Sequence, residues 1–156
     1  QAFEMGLMEG FGNGKFNPTD NATRAQIWTI LARMYDVDVK GDGVWYEKAM
    51  NWAYSAGITD GSNPNSEITR EQLVTMLYRF AKYIGEDVSV SEDAGLASFK
   101  DSDEVSAYAV EAMRWAVDRG LIKGSNGSLN PRDTAIRAEV AAIFVRYITL
   151  SANKGE

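Results

Sequence analysis

An all-α fold of three helix-loop-helix repeats is predicted for this 156-residue chain, on three observations. A helix-ending segment occurs three times: QAFEMGL at 1–7, WAYSAGI at 52–58 and WAVDRGL at 115–121. Each copy precedes a Gly/Asn/Ser-rich loop and then an Arg-led helix pattern: TRAQIWTILAR at 23–33, TREQLVTMLYR at 69–79 and IRAEVAAIFVR at 136–146. In every pattern the leading arginine is followed two residues on by Gln or Glu and nine on by a second arginine, giving the pairs Arg24/Arg33, Arg70/Arg79 and Arg137/Arg146. A fixed period means one unit repeated, with neighbours burying what one unit cannot bury alone. The repeats are expected at 1–40, 41–86 and 99–156, with 87–98 as a linker, all in one structural domain.

The first helix of repeat 2 is expected at about 45–56. Trp45, Ala49, Trp52, Ala53 and Ala56 recur at helical spacing and predict one buried stripe, stopped by Gly57. Tyr108, Ala112, Trp115 and Ala116 repeat that stripe in repeat 3, stopped by Gly120. Glycine after the last turn supplies positive φ at little cost. Thr23 and Thr69 fit the N-cap of the second helices, and Gln26 and Gln72 complete a capping box. Ile27, Ile30 and Leu31, then Leu73, Met76 and Leu77, then Val140, Ile143 and Phe144, form the matching core faces. In repeat 3 Ile136 stands at the cap position, so either Thr134 caps one turn earlier or the helix end frays. Loops 1 and 3 share Gly14-Lys15-Phe16-Asn17-Pro18 and Gly127-Ser128-Leu129-Asn130-Pro131, in which Phe16 and Leu129 are expected to plug the core.

Repeat 1 is short. Gln1 falls where Trp52 and Trp115 stand, so nearly two turns of its first helix are missing. The chain reads as a fragment or processed form. An exposed apolar groove at repeat 1, open to self-association, is the expectation.

Composition narrows function. The chain contains no Cys and no His, which removes Cys nucleophiles, Ser-His triads and most zinc chemistry. A net charge of −6 argues against nucleic acid. No run of 18 apolar residues occurs, so no membrane insertion is expected. No metal or cofactor is expected.

The repeated residues resemble the S-layer homology (SLH) module. That family shows a Trp/Tyr-rich first helix ending A-x-x-x-G-[LI], a loop G-x-F-x-P and a second helix opening [IT]-T-R-A-E. Ala22-Thr23-Arg24-Ala25-Gln26 and Ile68-Thr69-Arg70-Glu71-Gln72 match the last motif. Ala135-Ile136-Arg137-Ala138-Glu139 matches it apart from the cap. Phe99-Lys100-Asp101 resembles the family's phenylalanine-aspartate start. The resemblance covers essentially the whole chain. It implies a pseudo-threefold, three-bladed spindle with grooves between blades. It further implies non-covalent binding of secondary cell-wall polysaccharide, often pyruvylated on N-acetylmannosamine, at the surface of a Gram-positive bacterium. An S-layer protein or surface enzyme is tethered in this way, without catalysis. The ligand-binding role of the motif arginine carries to Arg24, Arg70 and Arg137.

Electrostatics supports that carry-over. A helix N-terminus is already positive, so an arginine in the first turn is misplaced unless an anion is held there. A helix N-terminus with a guanidinium fork makes a carboxylate site. Gly61-Ser62, Gly124-Ser125 and Gly10-Phe11-Gly12 are expected to bring backbone N–H groups close to sugar. Tyr46, off the main stripe, is a candidate sugar contact. Trp28, beside the arginine face, is expected to be exposed and to join it. Trp45, Trp52 and Trp115 are assigned to the core. Arg33, Arg79 and Arg146, near helix C-termini, are read as structural. Asp101 and Asp103 are read as caps and solvated loop positions.

Three other functions compete. Calcium binding fails at the loop containing Gly14, because an EF-hand register puts Phe11 on a ligand position. No acidic pair recurs with the repeats, which disfavours a glycosidase. A helical-repeat protein–protein scaffold remains the alternative reading.

Overall fold

The computed structural model describes residues 19–38, 44, 46–91, 95–124 and 126–154. Five α-helices occur among them: α1 (Arg24–Met34), α2 (Glu47–Ser55), α3 (Arg70–Tyr83), α4 (Val110–Asp118) and α5 (Arg137–Lys154). Short 3₁₀ turns at Ser102–Glu104 and Ala107–Ala109 precede α4. The chain is all-α, as expected. The truncation and groove expected at repeat 1 fall outside the described residues, as do Trp45 and Phe16.

Local chemistry explains the helix starts. The Gln26 N–H donates to Thr23 Oγ1 at 3.3 Å, and the Thr23 N–H donates to Gln26 Oε1 at 2.9 Å. Thr69 and Gln72 repeat both bonds at the same distances. In α5 only half the box survives, with the Ile136 N–H donating to Glu139 Oε1 at 3.0 Å. Thr134 does not act as an earlier cap. Its hydroxyl donates to Asn21 Oδ1, in another repeat, at 3.2 Å. Gly57 (φ 77°) and Gly120 (φ 76°) end α2 and α4 in the left-handed region. The Ile58 N–H then bonds Ala53 O, and the Leu121 N–H bonds Ala116 O. This is the six-to-one bond of a Schellman ending, with a buried apolar residue just beyond the glycine.

A closed ring of backbone hydrogen bonds joins the repeats. The Ala22 N–H donates to Ala135 O, the Ala135 N–H to Ile68 O, and the Ile68 N–H to Ala22 O, each at 2.9 Å. Antiparallel bridges flank it at Asn21–Ile136, Thr23–Glu67 and Thr69–Thr134. All three ring residues are fully buried. They occupy equivalent positions just before the second helices, so the ring has pseudo-threefold symmetry. The core faces of α1, α3 and α5 lie in one buried cluster with it. Each fully buried Leu or Ile contributes about 1.5–3 kcal/mol of transfer free energy.

Helix partners cross repeat boundaries: α1 packs on α2, and α3 packs on α4. Trp28 is not exposed, contrary to expectation. Every residue from Ala25 to Ala32 is buried, and Trp28 is 0% exposed. A helix enclosed on all sides has no arginine face to share.

Leu129 is fully buried and plugs the core as expected. Asp101 is not a solvated loop residue. It is 9% exposed and accepts from the N–H groups of Leu129 and Asn130, both at 2.8 Å. Burial pushes its carboxyl up, but these amides together outweigh that and leave it below the ordinary value. Asp103 is exposed, as expected. The Lys100 N–H bonds Gly127 O at 2.9 Å, so the Phe99–Asp101 segment clamps loop 3. Gly124 is required there. At φ +80° a Cβ would stand 2.7 Å from the Phe99 ring.

Candidate functional site

The leading arginines do not meet an open helix N-terminus. The Arg24 N–H donates to Ser66 O (3.0 Å), the Arg70 N–H to Asp133 O (2.9 Å) and the Arg137 N–H to Asp20 O (2.8 Å). The next amides of α1 and α3 are also engaged, by Pro64 O and Pro131 O, at 2.9 and 2.8 Å. The third amides go to the threonine caps. In α1 and α3 the first-turn donors that would hold an anion are thus consumed, two by the neighbouring repeat's backbone and one by the cap threonine. That part of the expected carboxylate site is overturned. Carbonyls pointed at the helix start also offset its positive end, which lets an arginine sit there without an anion.

The guanidinium groups lead instead into two inter-repeat grooves. The first, of about 400 Å³, joins Arg24 to loop 2 (Ile58, Thr59, Asp60) and to α3 (Gln72, Thr75, Met76, Arg79), with Tyr108 as a further wall. The second, of about 380 Å³, joins Arg70 to loop 3 (Leu121, Ile122, Lys123, Gly124) and to α5 (Glu139, Ala142, Ile143, Arg146). These are equivalent positions one repeat apart. Each groove therefore carries a first-turn arginine from one repeat and a second arginine from the next.

Each first-turn arginine is held on two sides. Arg24 Nε donates to Ser62 O at 2.9 Å, and Arg24 Nη2 meets Asp60 Oδ1 at 3.3 Å. Arg70 Nε donates to Leu129 O at 3.0 Å, and Arg70 Nη1 pairs with Glu139. The counter-charges differ. Asp60 is a well-exposed loop residue, whereas Glu139 is on α5 and also bonds Ile136. Hydrogen bonds from the Ser62 hydroxyl (2.6 Å) and N–H (2.9 Å), with Arg24 alongside, hold the Asp60 carboxyl below the ordinary carboxylate range. Arg137 is buried, 7% exposed, and lines neither groove.

The expected loop residues divide. Gly61 (φ +78°) shapes the turn and donates its N–H to Thr59 Oγ1 at 3.2 Å. Ser62 is exposed and lines neither groove; its hydroxyl and N–H donate to Asp60, and its carbonyl accepts from Arg24. Gly124 lines the second groove. Ser125 lies outside the described residues. Tyr46 precedes α2, packs partly buried against the core and lines neither groove.

Some groove residues were missed by sequence reasoning. Arg79 Nη1 donates to Ile58 O at 3.4 Å and Arg146 Nη1 to Leu121 O at 3.0 Å, each the carbonyl just past a stop glycine. They have structural partners, as expected, but they also line the grooves. Their fixed nine-residue offset was the available signal. Tyr108, assigned to a buried stripe, is 53% exposed. It belongs to the 3₁₀ turn at Ala107–Ala109, so the helical phase of Ala112 and Trp115 does not reach it.

Comparison with known proteins places this geometry. The family model for the S-layer homology domain matches residues 1–27, 38–74 and 98–141. The chain is 29% identical over 94% of its length to an amylopullulanase of Thermoanaerobacterium thermosulfurigenes, of which it covers 8%. It is 29% identical over 93% of its length to the surface-layer 125 kDa protein of Lysinibacillus sphaericus, covering 13% of it. It is 27% identical over 91% of its length to a cellulosome-anchoring protein of Acetivibrio thermocellus, covering 35% of it. The chain thus spans a minor part of each relative. What this chain is similar to in an amylopullulanase, a surface-layer protein and a cellulosome-anchoring protein is one segment of each. The chain belongs to the S-layer homology domain family.

Proposed function

We propose that this chain is a non-catalytic cell-surface anchoring module whose inter-repeat grooves bind an anionic wall glycan, a pyruvylated secondary cell-wall polysaccharide. The observation that carries the reading is the pairing of two arginines in each of two equivalent grooves. Arg24 with Arg79, and Arg70 with Arg146, give local positive charge in an acidic chain, and guanidinium groups suit a carboxylate such as a pyruvate ketal presents. Gly61 and Ser62 shape the loop that carries the counter-charge Asp60, and Gly124 lines the second groove. The relatives' names support tethering: one is a surface-layer protein and another a cellulosome-anchoring protein. On this reading the module works outside the cell, at a Gram-positive-type wall, and holds there whatever is joined to it. The repeats act as units 1–40, 41–86 and 99–156, with 87–98 between the last two.

A helical-repeat protein–protein scaffold is the second reading. It is favoured by the exposed aromatic end formed by Tyr35 and Tyr83, ring centroids 5.2 Å apart, beside Ile84.

Calorimetric titration with purified pyruvylated wall polysaccharide, and with the same polymer stripped of pyruvate, tests the proposal. Binding only to the pyruvylated form is expected. Arg24→Ala and Arg70→Ala should each cost about 1.5–3 kcal/mol at their own groove, tenfold or more. Equal binding to both polymers, or none to either, overturns the arginine–carboxylate mechanism.

A further inference from the structure

Tyr108 comes from the segment before α4, yet it lines the groove between the first two repeats. Its hydroxyl donates to Glu71 Oε2 at 3.2 Å. Glu71 is 4% exposed and also accepts from the Ser106 N–H at 2.9 Å and the Ser106 hydroxyl at 2.6 Å. Those three neutral donors satisfy a buried carboxylate. They also tie the start of the third repeat's first helix to the first turn of α3. The equivalent positions in the other repeats are Ala25 and Ala138, so this clamp is peculiar to one groove.

The clamp decides what Tyr108 offers. Its hydroxyl is spent on Glu71, while half the residue remains exposed. The groove therefore meets the ring, held by one fixed bond, with the Arg24 and Arg79 guanidinium groups on the other walls. An aromatic face suits the C–H face of a pyranose, and fixed aromatic side chains present contact area at low entropic cost. The described lining of the second groove contains no aromatic side chain.

We propose that Tyr108 is a specificity-determining residue of the first groove, its ring stacking on a pyranose of the bound glycan, with Glu71 as its positioning residue. This rests on the reading that the grooves bind wall glycan. The first groove then recognises sugar and charge together. The first groove also draws on all three repeats.

The probes are the methyl glycoside of pyruvate-ketal N-acetylmannosamine and free pyruvate, titrated by nuclear magnetic resonance against the whole chain. An Arg70→Ala background keeps the second groove from masking the first. Tyr108→Ala should weaken the glycoside about tenfold, equivalent to about 1.4 kcal/mol, while pyruvate affinity falls less than twofold. Tyr108→Phe, which keeps the ring, should lose less than Tyr108→Ala. Glu71→Gln tests the clamp by alkaline titration. Burial, with the Glu71 charge and hydrogen bond, raises the Tyr108 hydroxyl to about 12, and neutralising Glu71 should bring it down. If Tyr108→Ala fails to fold, saturation transfer from the Tyr108 ring protons to the glycoside, in the chain with Tyr108 intact, replaces it. Glycoside binding with no transfer, or with Tyr108→Ala equal to Tyr108, overturns this inference alone. No glycoside or polymer binding by the unaltered chain overturns the underlying reading and this inference with it.

Discussion

The backbone N–H of Ala22, in the first repeat, donates to the carbonyl of Ala135, in the third, at 2.9 Å. That bond closes a three-membered ring through Ile68, so each repeat holds both of the others. Ala135→Pro removes the donor to Ile68 O and leaves a buried acceptor unpaired. The expected loss is about 1–3 kcal/mol, or roughly 2–4 °C in Tm for each kcal/mol. Thermal unfolding followed by circular dichroism measures it. An unchanged Tm would mean that the helices associate without the ring.

Gly57 and Gly124 share a left-handed backbone but not a neighbourhood. A Cβ on Gly57 meets nothing within 4 Å, whereas on Gly124 it meets the Phe99 ring at 2.7 Å and Ser128 O at 3.0 Å. Gly57→Ala should cost only the left-handed strain, about 1–2 kcal/mol. Gly124→Ala should cost more, because the ring or the loop carbonyl has to move. Denaturant midpoints for the pair decide it. Equal losses would show that Phe99 yields freely.

Asp101 makes a pH-dependent contribution. Its folded carboxyl lies below its ordinary value of about 3.9. The stabilisation is therefore complete above about pH 4 and is lost as pH falls through the lower folded value. Asp101→Asn should lower Tm clearly at neutral pH, with the gap from the unaltered chain narrowing below about pH 4. A gap constant across that range would assign Asp101 a role other than ionised acceptor for the Leu129 and Asn130 amides.

Asp60 competes with any anion that approaches Arg24. Asp60→Asn keeps an acceptor for Ser62 but removes the charge. Exposed ion pairs are worth about 0.2–1 kcal/mol, so affinity of the first groove for pyruvylated polymer should rise by roughly 1.4- to fivefold. Calorimetry at low and high salt measures this. A fall in affinity would mean that Asp60 organises the groove more than it blocks it.

Much of this architecture was legible in the chain itself. Thr23 with Gln26, Thr69 with Gln72, the stop glycines Gly57 and Gly120, and the core faces of the second helices follow from contacts within one or two turns. Such contacts leave a local, periodic trace in sequence. Only the tertiary structure decided what depends on residues far apart in the chain. It enclosed Trp28, spent the first-turn amides of α1 and α3 on a neighbour's carbonyls, buried Asp101 under loop 3 and brought Tyr108 from the third repeat into the first groove. Three of these are hydrogen bonds or burials between repeats, and Asp101 meets loop 3 from 28 residues away within its own repeat. Helical periodicity records which side of a helix is apolar, not which distant backbone or carboxylate will be waiting there.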